Sequence, residues 1–244
     1  MKCSLCPRRC NAERTENENL NGFCKMPLLP VAARAALHFW EEPCISGKNG
    51  SGTVFFTGCN LDCAFCQNYE VSHLKKGKPI TYGRLADIFR ELEEAGAHNI
   101  NLVSPSHYVG AIIRALDIYK PKIPVVYNSG GYDTPENIRA LKDYADIFLM
   151  DLKYLNPDRA KKYSGAESYP EYAVSAVKQA YLQQPECVFE NGIMQKGVIV
   201  RHLLLPLGTR EAIAVFDWVR ENTPNAYFSI MSQYTPCSRA GQYP

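Results

Sequence analysis

Six short apolar runs of β type, separated by stretches with helical periodicity, constrain this chain more than any other feature. The runs are Thr53–Thr57, Ile100–Ser104, Ile123–Tyr127, Ile147–Met150, Val198–Leu205 and Ala226–Met231. Between them Leu85, Ile88, Phe89 and Leu92 recur at i, i+3, i+4 and i+7, and Val109, Ile112, Ile113 and Leu116 repeat the pattern. Thr81 precedes the first of these stretches as an N-cap, and Gly96 follows it as a stop. Thr134-Pro135 and Asn156-Pro157 each read as a cap followed by the first helical residue. Ala212, Val215, Phe216 and Val219 mark a last helix after Thr209. Strands that alternate with helices pair in parallel through right-handed crossovers. Covered on both faces, they read as unbroken apolar runs. An α/β fold with six parallel strands follows, and chemistry in such folds sits at the C-terminal strand ends.

Immediately after the first run comes Cys59-Asn-Leu-Asp-Cys63-Ala-Phe-Cys66. An electron-transfer [4Fe–4S] cluster takes four thiolates. Three leave one iron without a protein ligand, open to a substrate or cofactor. A zinc ion would need a fourth ligand nearby, and this spacing is not a usual zinc pattern. Phe65 stands where it can shield the cluster edge. A second group, Cys3, Cys6, Cys10 and Cys24, lies in residues 1–30, which lack periodicity and carry Pro7, Gly22 and Pro27. Four thiolates suit either tetrahedral zinc or a fully ligated iron–sulfur cluster, and the spacing does not choose between them. Cys44, Cys187 and Cys237 are scattered and read as unligated thiols.

The N-terminal sequence Met1-Lys-Cys-Ser-Leu-Cys6 has no apolar core of a signal peptide. Ten cysteines in such a chain argue for metal ligation in a reducing, anaerobic cytoplasm and against disulfides. A net charge of +2 gives no basis for binding nucleic acid or a membrane surface. No apolar run approaches the ~20 residues of a bilayer span. Residues 1–45 are expected to form the Cys-rich metal module with its lead-in, and residues 46–244 the α/β core.

The Cys59–Cys66 segment resembles the CxxxCxφC signature of radical S-adenosylmethionine (SAM) proteins, φ being aromatic, and matches it at every position. Further segments resemble the PflX-type proteins, related to the activating enzymes of pyruvate formate-lyase and other glycyl radical enzymes. They are Phe39-Trp-Glu-Glu-Pro-Cys-Ile-Ser-Gly47, Cys66-Gln-Asn-Tyr69, Asn101-Leu-Val-Ser-Pro-Ser-His-Tyr108, Tyr127-Asn-Ser-Gly-Gly-Tyr132 and Val200-Arg-His-Leu-Leu-Leu205. The resemblance covers essentially the whole chain. It implies a six-stranded partial (β/α) barrel with SAM across its open top, chelated to the free iron through its amino and carboxylate groups. It implies a one-electron donor such as a flavodoxin or ferredoxin, cleavage of SAM to a 5′-deoxyadenosyl radical, and hydrogen abstraction from a protein or peptide, a glycyl radical enzyme among them. A small-molecule substrate, or a non-catalytic iron–sulfur relay or sensor, stays open beside that reading. Two departures stand out. Ser104-Pro-Ser-His107 occupies the place of the family's Gly-Gly-Glu segment, and the chain ends at Pro244 where such proteins continue, so a C-terminal truncation is expected.

Candidate cofactor ligands lie at the strand ends. Asp151 and Lys153, two residues apart, share a face; they either meet SAM and a cation or form a rim ion pair. Asn128 and Ser129 either face the cofactor or feed the turn at Gly130-Gly131. Alternation places His202 on one face with Val198 and Val200, an inward SAM ligand or a core histidine, with Arg201 opposite. Ser104 and His107 either replace the Gly-Gly-Glu contact or cap the next helix. Asn68 either donates to the cluster or SAM, tuning the potential, or caps a helix.

Overall fold

The computed structural model describes residues 2–18 and 21–243; Pro244 and the expected truncation point lie outside them. In chain order the elements are β1 (Val31–His38), α1 (Pro43–Ser46), β2 (Ser51–Phe56), α2 (Tyr69–Ser72), β3 (Lys78–Pro79), α3 (Tyr82–Glu94), β4 (Ile100–Val103), α4 (Val109–Ile118) and β5 (Val125–Ser129). There follow α5 (Pro135–Ala140), β6 (Ile147–Asp151), α6 (Pro157–Ser164), α7 (Tyr169–Gln183), β7 (Val188–Glu190), β8 (Ile193–Leu203), α8 (Thr209–Asn222) and β9 (Tyr227–Met231).

The six expected runs are β2, β4, β5, β6, β8 and β9, and each pairs in parallel with the next. They curve into an open barrel, the α/β fold expected of the six runs. Their apolar character has two destinations. Inward residues Val126, Ile147, Leu149 and Ile199 enclose Cys44 and Ile45 of α1. Outward residues such as Tyr127, Phe148, Met150, Val198 and Val200 meet the apolar faces of α5, α7 and α8. On α3, Leu85, Ile88, Phe89 and Leu92 are all buried, as their spacing requires. Burying such side chains contributes about 1.5–3 kcal/mol each. The caps form as read: Thr81 Oγ1 accepts from Arg84 N at 3.1 Å, Thr134 Oγ1 from Asn137 N at 3.3 Å, and Asn156 Oδ1 from Asp158 N and Arg159 N at 2.8 and 3.1 Å.

Three features depart from the sequence reading. The lead-in expected with the N-terminal module belongs to the barrel: β1 pairs antiparallel with β2, and α1 plugs the barrel from within. A hairpin, β7 with β8, turns at Asn191-Gly192, both in left-handed conformation (φ 52° and 81°) as a two-residue turn demands. α7 was not anticipated from periodicity.

Candidate functional site

A cavity of about 580 Å³ opens at the C-terminal ends of the parallel strands. Its wall includes Cys59, Cys63 and Cys66. Gly58 starts their loop at φ 86°, and a Cβ there would collide with Met26, so the chain leaves β2 by a turn that only glycine makes without strain. Each of the three sulfurs has a hydrogen-bonding neighbour. Leu61 N donates to Cys59 Sγ at 3.4 Å, Ser164 Oγ lies 3.0 Å from Cys63 Sγ, and Ser72 Oγ lies 3.2 Å from Cys66 Sγ. Burial pushes the Cys59 thiol far up, and the nearby Cys63 and Cys66 push it further. Burial likewise raises Cys63, against the pull of Lys153. Thiols held up in this way at Cys59 and Cys63 call for a cation to neutralise their charged forms. Among the described residues no three His, Cys, Asp or Glu side chains converge on one point as a single ion requires. A cluster takes each thiolate on a different iron, and three thiols spread along one cavity wall are a donor set for it. Phe65, buried beside them, meets Tyr234 edge-on at 6.5 Å.

Opposite polarity is built into the barrel floor. Lys153 Nζ pairs with Asp151 Oδ2, and Arg201 Nε donates to Asp151 Oδ1 at 2.7 Å. Arg201 Nη1 stands 3.3 Å from Glu41 Oε2 and 3.6 Å from Glu42 Oε2, and its Nη2 donates to Asn128 Oδ1 at 3.1 Å. Asn128 Nδ2 donates to Glu41 Oε2 at 3.2 Å, and Ser229 Oγ to Glu42 Oε1 at 3.3 Å. Burial opposes ionisation of Asp151, but Arg201 and Lys153 outweigh it and hold its pKa at about 2. Glu41 goes the other way: burial raises it to about 7, against the pull of Arg201 and with the push of Glu42. Burial works against the Lys153 charge as well, yet Asp151 and Cys63 leave its pKa raised. Gly131 (φ 80°) lets the β5 turn approach so closely that a Cβ would strike the Asp151 carbonyl.

The structure brings Asp151, Lys153, Asn128, Ser104, His107 and Asn68 to this cavity with the three thiols. Asn68 is exposed and enters α2 through its backbone, its carbonyl accepting from Val71 N and Ser72 N at 3.1 and 2.8 Å. Ser104 adopts φ 58°, a left-handed conformation that favours glycine, where the family pattern has Gly-Gly-Glu. His107 is buried with Nε2 2.8 Å from the Thr57 carbonyl, and burial lowers its pKa to about 4, so the ring is neutral. Ser129 borders the cavity, but its hydroxyl donates to buried Asp133 Oδ2 at 2.6 Å.

His202 is corrected. Its Nδ1 lies 2.8 Å from the Leu152 carbonyl, and it is a buried histidine on the outer side of β8, away from the cavity. Arg201 is the inward residue. Both faces of β8 are covered, so alternation separates the two faces without saying which is inside. Glu41, Glu42 and Arg201 also line the cavity, and sequence reasoning had not singled them out as site residues. The glutamates lay within the segment from Phe39 to Gly47 that carried the family resemblance, and no periodicity marked them. Cys3, Cys6, Cys10 and Cys24 stand outside the cavity, as do Cys187 and Cys237, and none of the ten cysteines is in a disulfide.

A family model described as the radical SAM superfamily matches residues 53–194. The uncharacterized protein MJ0674 of Methanocaldococcus jannaschii is 30% identical over 251 residues, covering 99% of this chain and 68% of that protein. Among solved structures, Streptococcus suis SuiB bound to S-adenosylmethionine superposes with a TM-score of 0.54 at 15% identity, over 75% of this chain and 41% of SuiB. HydG, a maturase of the [FeFe]-hydrogenase, gives 0.52 at 16% identity, over 77% of this chain and 43% of HydG. At these identities the two structures speak for the fold, and the chain spans about two-fifths of their length. The cysteine loop at the end of β2 falls within the matched region, and the chain belongs to the radical SAM superfamily.

Proposed function

We propose that this protein binds a [4Fe–4S] cluster through Cys59, Cys63 and Cys66, binds SAM beside it, and abstracts hydrogen from a protein or peptide, a glycyl radical enzyme being the favoured substrate by family resemblance. One observation carries the reading: the three thiols and the charged residues Asp151, Lys153 and Arg201 line the same cavity. When bound, the cluster and SAM supply one-electron cleavage of the sulfonium to methionine and a 5′-deoxyadenosyl radical. The chain's own residues bind and orient. Lys153, cationic and close to Cys63, can neutralise a carboxylate next to the loop. Asp151, ionised at all ordinary pH, can accept from a ribose hydroxyl or hold a cation. Asn128 keeps Arg201 and Glu41 in register. Ser104 takes the position of the missing Gly-Gly-Glu segment. A flavodoxin or ferredoxin is the proposed electron source and the cytoplasm the proposed location. No helix among the described residues is long and apolar enough to cross a membrane.

The test is anaerobic. Reconstituted protein with a reductant and SAM is expected to yield 5′-deoxyadenosine and methionine, and Cys59→Ala, Cys63→Ala or Cys66→Ala to abolish the yield. Undiminished product from any of these variants defeats the cluster assignment. A correct polypeptide substrate raises the yield and passes deuterium from its labelled carbon into 5′-deoxyadenosine.

A further inference from the structure

Cys3, Cys6, Cys10 and Cys24 lie outside the cavity that holds the three-thiol loop. Cys3 and Cys6 are buried, Cys24 is half-buried and Cys10 is exposed. Backbone amides surround the thiols. Arg8 N–H donates to Cys6, Ala12 and Phe23 N–H to Cys10, and Met26 N–H to Cys24. Three of these four donors sit two residues beyond their cysteine, the same turn that brings Leu61 N to Cys59 Sγ. A neutral thiol is a weak acceptor. Amide donors aimed at sulfur are the surroundings of a metal-bound thiolate, whose charge they stabilise. The four groups are neighbours that do not yet converge on one point: the Cys10 side chain meets that of Cys3, Cys3 and Cys24 lie near Cys6, and Cys3 and Cys10 lie near Cys24. Buried Arg14 reaches Cys3 Sγ with Nη1 at 3.5 Å, a cation against a group that gains negative charge on ligation.

The backbone adds a second, independent observation. Arg9, Asn11 and Lys25 hold φ of 40°, 51° and 56°. Each is adjacent to Cys10 or Cys24 and none is glycine. Left-handed residues of this kind cost on the order of 1 kcal/mol or more each and persist where their surroundings over-determine them. Pro7, Ala12, Met26 and Pro27 are the buried apolar side chains among the described non-cysteine residues 2–18 and 21–29, too little apolar area to hold three strained turns.

We infer that Cys3, Cys6, Cys10 and Cys24 bind one tetrathiolate metal centre, zinc or a fully ligated [4Fe–4S] cluster, that braces the loops of the neighbouring cavity. Each thiol gives up its proton as its sulfur–metal bond forms, and binding draws the four sulfurs together. The brace runs through two arginines. Arg8 donates from Nε to the Asn60 carbonyl at 2.9 Å and from Nη1 to the Gly165 carbonyl at 2.7 Å, with its guanidinium 3.9 Å from the centre of the Phe23 ring. Asn60 adjoins Cys59. Arg14 donates from Nη1 and Nη2 to the His107 carbonyl, both at 3.1 Å, and Asn137 Nδ2 ties the Leu5 carbonyl to α5 at 2.5 Å. Thus the module touches the cluster loop and the segment after β4 at once.

The site is separable from the cavity, and so is its test. A Cys59/Cys63/Cys66→Ala triple variant, exposed anaerobically to zinc or to iron with sulfide, should retain after desalting about one zinc or about four irons with sulfide per chain; the metal retained identifies the centre. Retention of neither overturns the proposal. The unaltered chain gives a second reading that does not depend on the variant folding. After the same loading, exposed Cys10 should resist alkylation until a chelator or denaturant is added, as read by mass spectrometry. Prompt labelling of Cys10 in the loaded protein overturns the site. Selective metal removal should also speed amide hydrogen exchange in residues 59–62 and 104–108, and unchanged exchange there overturns the bracing role.

Discussion

Arg201 and His202 are neighbours with opposite fates, and the difference is chemical as much as geometric. Arg201 faces three carboxylates and finds a partner for each hydrogen-bonding edge. His202 spends its Nδ1 on a main-chain carbonyl under α8. Lys153→Ala should therefore weaken SAM binding by roughly 5- to 150-fold, the loss of about 1–3 kcal/mol from a charge-assisted contact. His202→Ala should leave SAM affinity unchanged and lower stability instead. Anaerobic titration at constant iron content checks both, and a SAM defect confined to His202→Ala would reverse the assignment. Glu41 allows a pH prediction. Folded Glu41 keeps its proton up to about 7, whereas an unconstrained glutamate releases it near 4.5. Between those values the folded state binds more protons, so stability falls as pH rises from 4.5 to 7. The full effect is about 3 kcal/mol. Burial sets the direction of the shift, which Arg201 and Asn128 reduce and Glu42 and Asp151 increase. Denaturant unfolding across this range should show a shallower slope for Glu41→Gln, and parallel slopes would refute the attribution.

At the scale of elements, local chemistry sufficed wherever a cap or an amphipathic face was present. Thr81, Thr134 and Asn156 each sit at the start of a helix and accept the amides that the helix leaves over. Asn156 accepts two, so Asn156→Ala should cost about 1 kcal/mol, seen as a lower denaturation midpoint with unchanged slope. An unaltered midpoint would mean that Glu211, which accepts from Leu155 N and Asn156 N, holds the turn alone. β1 shows where local chemistry misleads. Val31-Ala-Ala-Arg-Ala-Ala-Leu-His38 carries four alanines, residues of high helix propensity. It is nevertheless a strand because β2 offers an edge across six paired positions, Ala32 to His38. Its hydrogen-bond partners are remote in sequence, so no window of residues contains the reason for its shape.

For the molecule as a whole, the order β3-β1-β2-β4-β5-β6-β8-β7, with β9 on β8, makes the lead-in part of the barrel. Amides of residues 31–38 should therefore exchange with deuterium as slowly as those of residues 51–56, while residues 2–18 exchange faster in metal-free protein. Equal rates across residues 2–38 would restore the expected boundary at residue 45. The same connectivity explains the floor of the cavity. α1 fills the barrel from below, and the turn before it lifts Glu41 and Glu42 toward Arg201.

The sequence by itself determined the six parallel strands, several helix caps, the three-thiol loop and the shared strand face of Asp151 and Lys153. Each depends on neighbours within a few residues: periodicity, a cap, a fixed spacing along one strand. Tertiary structure alone decided the inward face of β8, the strand character of β1, the orientation of the Ser129 hydroxyl toward Asp133 and the arrival of two glutamates at the floor. Those outcomes depend on which remote surface covers which face, and a strand buried on both sides carries no local mark of inside and outside.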